Sequence, residues 1–390
     1  MAAVSATLKQ GNRRIQLSVL SLAHLMNDWY MNYIPQLLPF LVAAGLPVTK
    51  VTILISAFTF TSSVSQPIFG YIVDLKNKRW LVYVGTLWMA VFLGLFGVIY
   101  VYTVLLIVTV LAGFGTAAFH PQASAMVSSL SSRRKGLFQS AFMAAGNIGY
   151  ALTPVIIVPF ILKFGLEATP FLAIPGVLVS VLLLTSAPSV SKKRASDMTW
   201  QKFINGLSPK AAEVFKIVLI VTIRSLTYFG LVTFLYTYFQ YREIGEIASS
   251  WLVFLMLFAG AVGGMIGGFL SDIYGRKIVI MASLILATPL FYLFMASNGF
   301  LSYVFLAMAG ASLLSSFSVT VVTAQELLPQ SAALASGLML GFGVGVGGLG
   351  VGALGFLYDA HGITIVMYLL ISLPMLAAFV GFFLKEAKAS

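Results

Sequence analysis

The stretch "SLAHLMNDWY" at residues 21–30 places His24 and Asp28 four positions apart inside an otherwise apolar segment. On a helix that spacing puts the imidazole and the carboxylate on one face, one turn apart, where they can share a hydrogen bond or pass a proton. His120 and Arg224 lie in two further apolar stretches. An ionisable group in mid-bilayer costs about 2.5–3.5 kcal/mol on insertion scales, so such residues are rare and mark function. Asp28, His24 and His120 are therefore the candidates for handling a coupling proton. Arg224 stays charged, so it suits an anion: a substrate, or Asp28 itself as an alternating partner. Two structural alternatives stand beside these readings: His24 and Asp28 tying one helix to a neighbour, and a permanent Arg224 to Asp28 bridge.

Around these groups, Gln122, Tyr228, Tyr33 and Asn32 carry amides or hydroxyls that a ligand could use, and His120 is the second substrate-contact candidate beside Arg224. Pro121 follows His120 and lacks an N–H, so a bend and an unpaired carbonyl are expected there. Catalysis is not expected: no P-loop and no Ser-His-Asp set appear. No metal site and no cofactor are expected. The chain has no cysteine, which excludes disulfides and thiolate metal sites.

The elements that must position these residues are membrane helices. Of 390 residues, 59% are hydrophobic and only 9% charged, against about 25% charged in an average soluble domain. Twelve apolar runs are long enough to span a bilayer, near 15–43, 50–73, 80–101, 103–129, 136–163, 168–187, 213–240, 247–270, 278–297, 299–327, 331–357 and 363–384. They are continuous rather than alternating, so helices and not a barrel are expected. The first run is too long for a signal-peptide core and is expected to remain as a helix. The net charge of +12 does not point to nucleic acid, because 19 of the 23 Lys and Arg residues fall in alternate short loops and the ends facing them. That asymmetry predicts cytoplasmic N- and C-termini. From the depth of the runs, His24, His120 and Arg224 are each roughly ten residues from the cytoplasmic end of their helix, which puts them at one level.

The polar stretch 188–212 separates two sets of six runs, giving an N-terminal bundle over 1–187, a cytoplasmic linker over 188–212 and a C-terminal bundle over 213–390. "GYIVDLKNKR" at 70–79 and "GFLSDIYGRK" at 268–277 repeat one pattern at an offset of 198 residues. In each copy a glycine allows close helix approach, an aspartate follows one turn on, and basic residues close a tight turn. An aspartate at a helix C-terminus opposes the helix dipole and needs a partner. Gly70, Asp74 and Arg79, and Gly268, Asp272, Arg276 and Lys277, are thus the candidates for a cytoplasmic latch, with Glu326 as a further gate partner.

This loop pattern resembles the signature G-x-x-x-D-x-x-G-R-K of the major facilitator superfamily, matched by Gly268, Asp272, Gly275, Arg276 and Lys277, with Asn77 replacing the second glycine in the first copy. "AAFHPQASAMV", "GLFQSAFMAAGNIGYALTP" and "AQELLPQSAALASGLMLGFGVGVGGLG", with the opening stretch, are similar to the fosmidomycin resistance protein family of bacterial efflux pumps. The resemblance implies an all-α fold of twelve transmembrane helices in two pseudo-symmetric six-helix bundles, and proton-driven export of small drugs or metabolites. Gln122 stands where related sequences can carry glutamate. The expected function is antiport of a small anionic or amphiphilic compound against protons in the inner membrane. Proton symport of an organic anion is the alternative. Expected partners are a small-molecule substrate, protons and membrane lipids, with the chain acting as a monomer and no nucleic acid involved.

Overall fold

Within a bilayer every backbone N–H and C=O must be satisfied inside the chain, and helices do this segment by segment. The computed structural model describes residues 2–69, 72, 79–130, 135–188, 208–328, 335 and 337–385, and these contain helices and no strand. In chain order they form α1 (Ala2–Met31), α2 (Tyr33–Ala43), α3 (Val48–Val64), α4 (Trp80–Gly94), α5 (Tyr102–Leu130) and α6 (Lys135–Phe164). There follow α7 (Ile174–Ser186), α8 (Ala211–Tyr241), α9 (Glu246–Tyr274), α10 (Arg276–Ala296), α11 (Gly299–Leu327) and α12 (Val344–Phe382).

Ten stretches among the described residues are long and apolar enough to cross a membrane. Two features reconcile that number with the twelve expected runs. Gly362, at φ 78° and ψ 176°, breaks α12 into two helices, a backbone that only glycine adopts without strain. The N-terminal run is interrupted at Asn32 and so appears as α1 followed by α2. The helix α5 runs through Pro121 from Tyr102 to Leu130.

Contacts divide the chain into two compact units, one of residues 1–34 with 64–195 and the other of residues 35–63 with 196–390. In the first, Leu20, Ala23, Val82, Phe119, Ala123, Phe142 and Leu183 form the core among α1, α4, α5, α6 and α7. Polar bonds hold α1 in this unit: Asn27 Nδ2 donates to Thr86 Oγ1 of α4 at 2.9 Å, and Thr153 Oγ1 of α6 donates to the Trp29 carbonyl at 3.0 Å. Each is a bond that an apolar slab makes expensive to leave unmade.

In the second unit small residues let helix backbones meet. Gly263 and Gly267 of α9 lie against the backbone of α11 at Ala311 and Ser315. Ser315 Oγ donates to the Gly263 carbonyl at 3.0 Å. The glycines of α12 serve two neighbours from two faces: Gly347 lies against Thr222 and Ser225 of α8, while Gly348 and Gly355 lie against Thr59 and Thr52 of α3. Ser56 Oγ of α3 reaches the Gly348 carbonyl at 3.1 Å. At the start of α3, Asp359 Oδ2 accepts from the Thr49 backbone N–H at 3.1 Å and from the Thr49 hydroxyl. A carboxylate at a helix N-terminus is favoured by the helix dipole.

Candidate functional site

The first unit gathers His24, Asp28 and His120. His24 Nε2 lies 3.3 Å from Asp28 Oδ2, and His120 Nε2 lies 3.4 Å from Asp28 Oδ1. The spacing along α1 supplies the first pair, and the packing of α5 on α1 brings the third group. His24 is 2% exposed, and its ring stacks on Phe142 of α6 with centroids 4.0 Å apart and planes 13° apart. The rings of His24 and His120 meet edge to face at 5.2 Å.

The bonding partners assign the tautomers. His24 Nδ1 lies 2.7 Å from the Phe142 carbonyl, which can only accept, so Nδ1 carries the hydrogen. In the neutral ring Nε2 is then a lone pair, and it faces a carboxylate oxygen that is also an acceptor. His120 Nε2 lies 3.4 Å from both Asp28 Oδ1 and Met31 Sδ, two acceptors, and the tautomer with its hydrogen on Nε2 is the one that suits them. With both imidazoles neutral and Asp28 ionised, the His24 to Asp28 contact sets two acceptors against each other. One added proton turns it into a charge-assisted hydrogen bond. The nitrogen and carboxylate ligand atoms of the three residues lie within 4.8 Å of one another, so a proton held between two of them is within reach of the third by a small side-chain movement.

Gly146 of α6 closes this site from the side. A methyl group there would sit 2.7 Å from His24 Nε2 and closer still to His24 Cε1 and Asp28 Oδ2. Gly149, one turn on, lies against the backbone of Leu25. Asn32 and Tyr33 are fully buried. Asn32 Nδ2 donates to the Tyr150 carbonyl at 2.9 Å, while the Tyr33 ring packs on Trp29, Tyr30 and Phe96. Gln122 is buried, and at two residues from His120 it points to the other side of α5.

In the second unit Arg224 is 1% exposed. Its guanidinium carbon lies 4.7 Å from the centre of the Phe317 ring, and Nη1 donates to Thr320 Oγ1 at 3.4 Å. Among the described residues, no carboxylate of its own unit pairs with it. Tyr228 follows one turn later on α8, half-buried, with its ring against Phe229. A buried guanidinium is a costly group to leave without a counter-charge.

The second copy of the loop pattern is assembled within this unit. Arg276 bridges Asp272 at 2.5 Å and Glu326 at 3.1 Å, and it also donates to Ser271 Oγ at 2.5 Å. Gly275 between α9 and α10 has φ 92°, which is why this turn takes glycine. Gly268 faces Ser318 of α11, and Lys277 Nζ lies 5.8 Å from the Phe382 ring centre. In the first copy, Arg79 Nη2 donates to the Leu184 carbonyl at 3.1 Å. Gly70 and Asp74 fall outside the described residues.

Phe142, Gly146, Met31, Phe317 and Thr320 are the site residues that one-dimensional reading misses. Only Gly146 left a trace, as a glycine interrupting an apolar helix in "AAGNIG".

A family model described as the Major Facilitator Superfamily matches residues 20–249. YfnC, an MFS-type transporter of Bacillus subtilis strain 168, is 31% identical over 376 residues, covering 92% of this chain and 90% of that protein. The fosmidomycin resistance protein of Escherichia coli strain K12 is 30% identical over 366 residues, again covering 92% of this chain and 90% of its own. Among solved structures, a bacterial homolog of the human lysosomal transporter Spinster superposes with a TM-score of 0.80 at 13% identity, covering 97% of this chain and 99% of that one. The nucleoside transporter NupG superposes with a TM-score of 0.75 at 15% identity, covering 96% and 100%. At such identities the last two speak to the fold alone.

Proposed function

The chain belongs to the major facilitator superfamily, and from that premise we propose that it is a proton-coupled exporter of a small anionic or amphiphilic compound in the cytoplasmic membrane. It is a transporter of small molecules and not an enzyme. Asp28 carries the coupling proton, shared with His24 and relayed by His120, while Arg224 attends to the substrate anion. The observation that carries this reading is the facing pair of acceptors, His24 Nε2 and Asp28 Oδ2 at 3.3 Å, which needs one proton to become attractive. Loading and release therefore change the charge that α1 presents to His120 of α5, 3.4 Å from Asp28, and an interhelical contact that changes with occupancy is what alternating access requires.

The energy supply is adequate. A proton entering through 100 mV yields about 2.3 kcal/mol, and each pH unit adds about 1.4 kcal/mol. The basic loops favour cytoplasmic termini, which places the Arg276, Asp272 and Glu326 cluster on the inner side, where it locks the ends of α9, α10 and α11. Export is supported by a whole-length relative named for resistance to fosmidomycin. The chain is taken to work as a monomer among lipids.

The test uses proteoliposomes with an internal pH dye, screened with small anions and drugs including fosmidomycin. Wild type should exchange protons for a substrate in opposite directions, and Asp28→Asn should lose the substrate-dependent proton flux. Equal proton flux in both variants would make Asp28 structural. Flux of proton and substrate in the same direction would replace export with uptake.

A further inference from the structure

Arg224 is not only buried but held in one orientation from α11. Phe317 lies under the guanidinium face at 4.7 Å, and Thr320, one turn along α11, accepts from Nη1 at 3.4 Å. The Thr320 hydroxyl spends its own hydrogen on the Phe317 carbonyl at 2.9 Å, which aims its lone pair at the arginine. One face of the guanidinium and one terminal nitrogen are thus taken by Phe317 and Thr320, and no carboxylate of this unit meets the rest among the described residues. What remains is the side edge, where Nε–H and Nη2–H run parallel, the arrangement that matches two oxygens of one oxyanion.

We infer that this edge is the specificity element of the transporter, gripping side-on a substrate oxyanion with two equivalent oxygens, a carboxylate or a phosphonate. The inference rests on the transport reading for its biological meaning and narrows the anionic or amphiphilic class to compounds with such a group. A fixed fork loses little freedom on binding, so selectivity follows from geometry as well as charge. Lysine offers a single ammonium with no parallel pair and does not replace arginine here. Thr320 acts as a positioning residue, because it meets the arginine on the nitrogen that the substrate does not use.

The experiment is calorimetric binding to the purified full-length protein with four probes that share one apolar body: benzoate, phenylphosphonate, benzamide and benzylamine. The expected result is binding of the two anions, with the amide and the amine weaker by at least about tenfold. Arg224→Lys should weaken the anions by a similar factor, while Gly264→Ala on α9, whose added carbon would meet only the Leu314 carbonyl at 3.5 Å, leaves the preference for anions over the amide intact. Thr320→Val keeps the shape but removes the acceptor, and it should narrow the gap between anion and amide even if Arg224→Lys fails to fold. Equal binding of benzamide and benzoate, no binding of either anion, or an unchanged gap in Thr320→Val would overturn the assignment. Anions that bind through Arg224 without moving protons would sink the coupling reading and leave this one standing. Coupled flux of compounds lacking an oxyanion would do the reverse.

Discussion

Gly146→Ala is a one-carbon change aimed at the proton site from the outside. Its Cβ would lie 2.7 Å from His24 Nε2 and nearer to Asp28 Oδ2, whereas non-bonded carbon contacts settle at about 3.5–4.0 Å. The His24 ring or the α6 backbone must therefore retreat by close to about 1 Å, in an interior packed too tightly to absorb it. Such overpacking costs about 1–3 kcal/mol, and alanine returns about 0.5–1 kcal/mol by removing a mid-helix glycine. The net expectation is a destabilisation centred on about 1 kcal/mol, read as a melting temperature lower by about 1–3 °C in detergent. Transport should suffer more, because a misplacement of about 1 Å in a proton-transfer geometry can cost about 100-fold in rate. Gly264→Ala is the control: its Cβ would meet the Leu314 carbonyl at 3.5 Å, an ordinary contact, so the protein should hold or gain stability. A Gly146→Ala protein that melts at or above wild type and keeps its coupled flux would refute the packing argument.

The two histidines should separate in their effects. His24→Gln removes both the stack on Phe142 and the bond to its carbonyl, so a loss of about 1–3 kcal/mol in stability is expected. His120→Gln, at 19% side-chain exposure, should melt near wild type and change the pH dependence of transport instead; equal melting losses in both would contradict this division. At the other end, Asp359→Ala should release the first turn of α3 at a cost of about 0.5–1 kcal/mol, seen as faster hydrogen exchange at Thr49. Unchanged exchange there would show that the carboxylate does not hold the helix end.

The helical crossings were legible because apolar length is read directly off the chain and the bilayer leaves helices as the economical answer. The His24 and Asp28 pair was legible for the same kind of reason, since the periodicity of one helix fixes which residues share a face. His120 could be placed only by depth, as its approach depends on how α5 packs against α1. Phe142 was invisible, because both its carbonyl and its ring meet His24 only through the packing of α6 on α1, and a phenylalanine in an apolar helix looks like any other. Arg224 announced itself by charge, yet Phe317 and Thr320 are ordinary helix residues whose role comes from a neighbouring helix. Asn32 and Tyr33, polar and close in sequence to Asp28, suggested a ligand; both are buried, with Asn32 donating to the Tyr150 carbonyl, a partner that only the packing of α6 reveals. The association of residues 35–63 with the second unit was equally hidden, since nothing local in α3 points to a partner 292 residues away.

That last feature sets a schedule for biosynthesis. The α3 helix leaves the ribosome early, but the partner of Thr49 lies 310 residues further along, about 15–60 s of synthesis at about 5–20 residues per second. For that interval its serine and threonine face has no α12 to meet. The helix must wait in the membrane, with surrogate neighbours or with its hydroxyls turned back on its own carbonyls, as Thr52 and Thr59 do in the finished protein. A chain released before α12 is complete would therefore leave an early helix unmatched, so damage near the C-terminus should be sensed by quality control close to the N-terminus.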